Sequence, residues 1–142
     1  MPARARPDAV LTVARVLEAF RTLDPDLPIQ YALSFITIAQ NEGMSIGELA
    51  ERLGIAQSSA SRNVAALSRW HSFGKAGFDL VQAQEDPRER RRKVVTLTDK
   101  GRGFIDSLRA IVSDAPRPQN GEPAKSADTA APALEPRRVR SA

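Results

Sequence analysis

The run "MSIGELAERLGIAQSSASRNVAALSRW", residues 44 to 70, constrains the fold more than any other part of the chain. Ile46, Leu49, Ala50 and Leu53 fall at i, i+3, i+4 and i+7, one apolar face of a helix. Ser45 precedes that face and Glu48 follows three residues on. The spacing lets the Ser45 hydroxyl and the Glu48 carboxylate each accept a backbone N–H from the other residue, a capping box. Gly54 stops the helix, and only Gly54 to Ala56 intervenes before a second helical segment, residues 57 to 70. There Ala60, Val64 and Leu67 share one face. They are mostly small, so the second helix can pack closely on its neighbour. Gln57, Ser58, Ser61, Arg62 and Arg69 lie on the other face. Two short helices joined by a Gly-containing turn predict a helix-turn-helix. In that motif the second helix enters the DNA major groove, where Gln can pair with adenine, Arg with guanine and Ser with bases or phosphates. An ordinary αα-hairpin with a polar outer face has the same pattern, and these residues alone do not choose between the two.

The next patterned stretch separates them. Leu80-Val81 and Val94 to Thr98 are β-prone and flank "QAQEDPRERRRK". This predicts a hairpin with a long, Pro-containing tip that carries Arg88, Arg90, Arg91, Arg92 and Lys93. The chain has 21 Lys+Arg against 17 Asp+Glu, a net charge of only +4, so where the charge sits matters more than its sum. A hairpin after a helix-turn-helix is a wing, whose tip reaches the minor groove or flanking phosphates. Arginine suits a narrow minor groove, where the negative potential is enhanced. The competing reading of the charge run is a solvated loop.

Three further helices complete the fold class, mainly α with a small β-hairpin wing, a winged helix-turn-helix. In "PDAVLTVARVLEAFRTL" Val10, Val13, Ala14, Leu17 and Phe20 or Arg21 make one stripe, with Asp8 as N-cap. "DPDLP" at 24 to 28 breaks that helix. "IQYALSFITIAQNEG" is apolar over most of its circumference, as a central helix should be, and Gly43 is a natural stop. In "DKGRGFIDSLRAIV" Phe104, Ile105, Leu108, Ile111 and Val112 make a stripe behind Thr98 as N-cap. A winged-helix core need not cover the stripes of both terminal helices, so a homodimer through residues 8 to 22 and 99 to 113 is expected. Residues 115 to 142 hold five of the ten prolines and only Leu134 and Val139 as large apolar residues. Such a segment cannot bury enough apolar area to offset the entropy of ordering. The expected organisation is a flexible 1–7, a DNA-binding domain over 8–113 and a disordered Pro/Ala-rich tail over 114–142.

Together, "MSIGELAERLGIAQSSASRNVAALSRW" and "LVQAQEDPRERRRKVVTLTDKG" resemble the winged-helix core of the MarR family of bacterial transcription regulators. The resemblance covers roughly Ile29 to Leu108. Its most specific part is the wing signature Asp86, Pro87, Glu89, Arg91, Leu97, Thr98 and Gly101. By this resemblance Arg91 enters the minor groove, steadied by Glu89, which stands where Asp is more usual. The "SSASR" segment matches a helix opening common in bacterial repressors. It assigns backbone contacts to Ser59 and Ser61 and base contacts to Gln57, Ser58 and Arg62. Three features depart from the family. Trp70 to Phe78 is longer than the usual link into the wing, and its aromatics are expected to pack under it. Ala56 stands where a Ser or Thr cap is usual. A single helix follows the wing in place of two long dimerisation helices, which leaves an effector ligand an open question.

Other classes are poorly served by the residues. The chain has no cysteine and one histidine, His71, so thiolate sites and His-rich metal sites are absent, and no cofactor is expected. No phosphate loop or paired nucleophile and base is visible, and an enzyme is not expected. No run of about 18 apolar residues is present, so no membrane span is expected. The N-terminal residues have no apolar core of a signal peptide, and a bacterial cytoplasmic, nucleoid-associated protein is the expectation. The expected function is sequence-specific binding of double-stranded DNA as a transcriptional regulator, read as a repressor. The alternative is a winged helix used for protein–protein interaction, or for DNA replication or partition.

Overall fold

The computed structural model describes residues 8–69 and 74–114. In chain order the elements are α1 (Ala9–Arg21), α2 (Ile29–Gln40), β1 (Met44–Ser45), α3 (Ile46–Leu53), α4 (Gln57–Leu67), β2 (Val81–Glu85), β3 (Lys93–Leu97) and α5 (Asp99–Ser113). The expectations for residues 1–7, for Trp70 and Phe73, and for 115–142 lie outside the described residues.

Local chemistry sets the helix starts. Asp8 Oδ1 accepts from the N–H groups of Val10 and Leu11 at 3.1 and 3.3 Å. The capping box is formed: Ser45 Oγ accepts from the Glu48 N–H at 3.1 Å, and the Ser45 N–H donates to Glu48 Oε1 at 2.8 Å. Gly54 ends α3 at φ +68°, a left-handed conformation costly for any residue with a Cβ. Thr98 Oγ1 accepts from the Gly101 N–H at 3.0 Å and so opens α5. α4 starts differently. Its N-cap is Ala56, extended at φ −65° and ψ 149°, with no side-chain bond to the free N–H groups. Ala56→Ser supplies the missing acceptor at an exposed position. It is expected to raise stability by about 1 kcal/mol, read as a higher thermal midpoint.

Three regions differ from the sequence expectation. The wing ladder runs from Val81↔Leu97 to Glu85↔Lys93, so the tip spans residues 86–92, and Glu85 and Lys93 belong to strands. Ladder hydrogen bonding on an edge strand, exposed beyond Val81, overrides the low β-propensity of Gln82, Ala83 and Gln84. Second, β1 adds a third strand, in the order β1-β3-β2, with Met44↔Val95 and Ser45↔Val94. The Gly43 N–H, at φ +93°, donates to the Val95 carbonyl at 2.8 Å and turns the chain onto β3. A two-residue strand has no periodicity to announce it. Third, α4 ends at Leu67 instead of continuing to Trp70, because Ser68 is extended at ψ 177°. The carbonyls at its end are satisfied by a later segment. Gly77, Phe78, Asp79 and Leu80 donate to the carbonyls of Arg69, Ala66, Ser68 and Leu67 at 2.8, 3.1, 3.1 and 2.8 Å. A Cβ on Gly77 would stand 2.0 Å from the Ser68 carbonyl oxygen, so only glycine passes there.

The core forms where α1, α2 and α5 meet the sheet and α4. Phe20, Phe35 and Phe104 form a cluster with ring centroids 5.2 to 6.2 Å apart, two of the three pairs edge to face. Phe35, Ile38, Leu49, Leu67, Leu80, Val81 and Val95 are fully enclosed, and Phe78 packs half-buried against them. Arg102 on α5 donates to both oxygens of Glu42, at 3.1 and 2.8 Å, and Glu42 also accepts from the Leu97 N–H. That cluster ties the end of α2 to β3 and α5. Of the stripe expected on α1, Phe20 alone is buried in this core. Val10, Val13 and Leu17 are 76, 57 and 43% exposed, while Val16, Ala19 and Phe20 make the inward contacts. On α5 the stripe is largely covered by its own chain, and only Val112 is open.

Candidate nucleic-acid interface

α4 presents Gln57, Ser58, Ser61 and Arg62 to solvent, with Ser59 half-exposed. Arg62 Nη2 donates to Ser59 Oγ at 3.4 Å, a weak bond one turn back that leaves the guanidinium outward. Arg69 lies beyond the end of the helix, next to the extended Ser68, and is exposed. The inward face is Ala60, Asn63, Val64, Ala66 and Leu67.

The Asp-Pro opening shapes the wing tip. Asp86 Oδ1 accepts from the Arg88 N–H at 2.9 Å, the Glu89 N–H donates to the Asp86 carbonyl at 3.2 Å, and the Asp86 N–H donates to the Arg92 carbonyl at 2.8 Å. This folded tip holds Arg88, Arg90 and Arg91 exposed, with Lys93 exposed at the start of β3. Arg92 is different. Its Nη2 donates to Glu48 Oε1 at 3.4 Å and its Nε lies 3.7 Å from Asp86 Oδ2, so it bridges the wing to α3. Among the described residues, Glu89 and Arg91 form no salt bridge. Of the wing arginines, Arg92 is the one held by carboxylates, those of Glu48 and Asp86. Sequence could not show this, because Glu48 and Arg92 are brought together only when β1 pairs with β3.

The Glu48 carboxyl is held below its ordinary value, first by the Ser45 backbone N–H. Desolvation opposes this, while the Arg92 charge, the Ser45 hydroxyl and the Arg52 charge add to it. A folded value below the unfolded one means that this contribution is complete above the ordinary carboxylate range. It is lost as pH falls through the depressed folded value. Arg92→Ala is expected to raise the Glu48 value, though not fully to normal, because the Ser45 bond persists. Titration of the Glu48 side-chain carboxyl resonance in both proteins measures this.

Between these elements lies an open cleft of about 430 Å³. Gln57 and Ser61 line it from α4, Ser45, Ile46 and Gly47 from the start of α3, and Glu89, Arg91, Arg92 and Lys93 from the wing. The fold thus brings two of the residues expected on the recognition helix against three of the wing cations. Ser58, Ser59, Arg62, Arg69, Arg88 and Arg90 do not line the cleft. The residue that sequence reasoning passed over is Asn63. Its place on the Ala60/Val64/Leu67 side of α4 was the available signal.

A helix-turn-helix followed by a β-hairpin, with a short strand completing the sheet, is a winged helix-turn-helix. Its particular form is MarR-like, a mainly helical chain with a small three-stranded antiparallel sheet. Residues 37–71 match the model of the IclR helix-turn-helix domain. RV1404 from Mycobacterium tuberculosis is a similar solved structure, 20% identical with a TM-score of 0.60 over 80% of this chain and 80% of its own. MarR is 17% identical with a TM-score of 0.51, over 72% of this chain and 73% of its own. CouR, a transcriptional repressor solved bound to a 23-mer DNA duplex, is 26% identical with a TM-score of 0.50, over 74% of this chain and 70% of its own. No curated protein matches the chain.

Proposed function

We propose that this chain is a sequence-specific, double-stranded DNA-binding transcriptional regulator that acts as a repressor and binds as a homodimer. The observation that carries this reading is the pairing of Gln57 and Ser61, on the exposed face of α4, with the cationic wing across one cleft. α4 enters the major groove, and Gln57, Ser58 and Arg62 reach base edges while Ser59 and Ser61 approach the backbone. Arg88, Arg90, Arg91 and Lys93 lie along phosphates or the adjoining minor groove. CouR, solved on a duplex, supports the same use of a similar fold. No helix among the described residues is long and apolar enough to cross a membrane.

The dimer rests on the uncovered apolar face of α1. Val10, Leu11, Val13 and Leu17 are all at least 43% exposed, and Val112 at the end of α5 is 57% exposed. A contiguous apolar face of this kind is suited to burial against a second copy. Two-fold symmetry then requires a pseudo-palindromic site with half-sites about one helical turn apart. Sedimentation at micromolar concentration should show a dimer, and Leu17→Glu should shift it to monomer and abolish protection of one half-site in a footprint. A wild-type monomer both on and off DNA would refute the dimer.

A further inference from the structure

The buried face of α4 contains an asparagine where the sequence pattern calls for an apolar residue. Asn63 is 5% exposed and sits between Ala60, Val64, Ala66 and Leu67, all at most 3% exposed. Its Nδ2 donates to Ser34 Oγ at 3.1 Å and to Gln30 Oε1 at 3.3 Å, both on α2. Ser34 is itself fully enclosed. Asparagine is a weak helix former, and burying an amide costs free energy that a leucine of similar size would not incur. Replacing both members of such a pair by apolar groups is often neutral or stabilising, so stability alone does not account for the pair. Three of the four apolar residues that α4 buries, Ala60, Val64 and Ala66, are small and interlock less than larger side chains would against rotation of one helix on another. A two-donor amide aimed at two acceptors on α2 permits one rotation and one register only.

We propose that Asn63 is a positioning residue for base reading, which, through Ser34 and Gln30, fixes the rotation of α4 and so the direction in which Gln57, Ser58 and Arg62 point. The inference rests on α4 being the recognition helix. Asn63 touches no DNA in this reading and carries no charge. Its loss should therefore change how well the right sequence is told from the wrong one, and leave the phosphate-driven part of binding alone.

The test uses the full chain and a duplex selected by the wild type from a randomised library, compared with random duplex of equal length. The double variant Asn63→Leu with Ser34→Ala removes both buried polar partners and leaves Gln30, which is exposed, to water. It should melt within a few degrees of wild type, bind random duplex with the same affinity and the same salt slope, and lose about tenfold in the specific-to-random ratio. Ser34→Ala alone should lose less in the same direction, and it carries the test if the double variant fails to fold. A folded variant that keeps the full ratio overturns the inference and leaves the DNA-binding reading standing. A variant that loses specific and random binding in equal proportion, with a lowered midpoint, shows a merely structural role and overturns it too. A wild type that selects no sequence from the library overturns the DNA-reading assignment and this inference together.

Discussion

Gly101→Ala is expected to cost this domain about 3 kcal/mol, the upper end of what an overpacked contact costs. A Cβ on Gly101 would stand 2.0 Å from the Leu80 carbonyl oxygen and 3.0 Å from its carbonyl carbon. Neither atom can move cheaply. The same carbonyl accepts the Thr98 N–H at 3.0 Å, and the Leu80 N–H is donated to the Leu67 carbonyl at 2.8 Å. Displacing Leu80 therefore loosens the start of β2, the cap of α5 and the end of α4 together. For a domain of this size the thermal midpoint should fall by roughly 12 to 24 °C, at 4–8 °C per kcal/mol. Gly103→Ala, two residues along the same helix, is the control. No atom lies within 4 Å of its added Cβ, and that position is exposed. Alanine there should raise stability by up to about 1 kcal/mol through helix propensity alone. Opposite shifts from one chemical change in one helix isolate the contact from the propensity. Equal shifts would mean that α5 does not cross the Leu80 backbone this closely.

The contrast between those glycines shows what sequence can and cannot carry here. By helix propensity both look like weakening residues in "DKGRGF"; the family resemblance singles out Gly101, and the crossing of α5 over Leu80 gives the physical reason. The helix starts were legible because their determinants are local: Asp8, the Ser45–Glu48 pair, Gly54 and Thr98 act on residues within one turn. The polar outer face of α4 was legible because Gln57, Ser58, Ser61 and Arg62 separate from Ala60, Val64 and Leu67 by helical period. Features that depend on distant partners were not. The β1 strand exists only because Gly43 meets Val95. The early end of α4 exists only because residues 77–80 return to satisfy its carbonyls. The side of α4 that Asn63 occupies follows from helical period, but its partner does not, since Ser34 reaches it only when α2 packs against α4. The wing cations were legible as a group but not singly, since Arg92 differs from Arg90 and Arg91 solely through Glu48 and Asp86.

That difference organises the second large effect, which lies in DNA binding. Arg62→Ala should remove a base contact and cost of order 1–3 kcal/mol in discrimination at one base pair per half-site. Random duplex should be bound nearly as well as before. Arg90→Ala with Arg91→Ala removes two exposed guanidinium groups from the wing tip. Affinity should fall for every duplex, and the slope of log affinity against log salt should flatten by about 0.9 for each phosphate left without its arginine. If one of them enters a narrow minor groove, the loss should be greater on A·T-rich flanks. Arg92→Ala should behave differently from either. Its charge is already shared between two carboxylates, so it has less to offer a phosphate, and its removal also unties the wing from α3. Affinity should fall with a salt slope closer to wild type than that of the Arg90/Arg91 pair. Titrations of specific and random duplex at several salt concentrations distinguish these three patterns. A wing double variant that binds random duplex as well as wild type, with an unchanged slope, would show that "PRERRRK" is a solvated loop and that the wing has no part in binding.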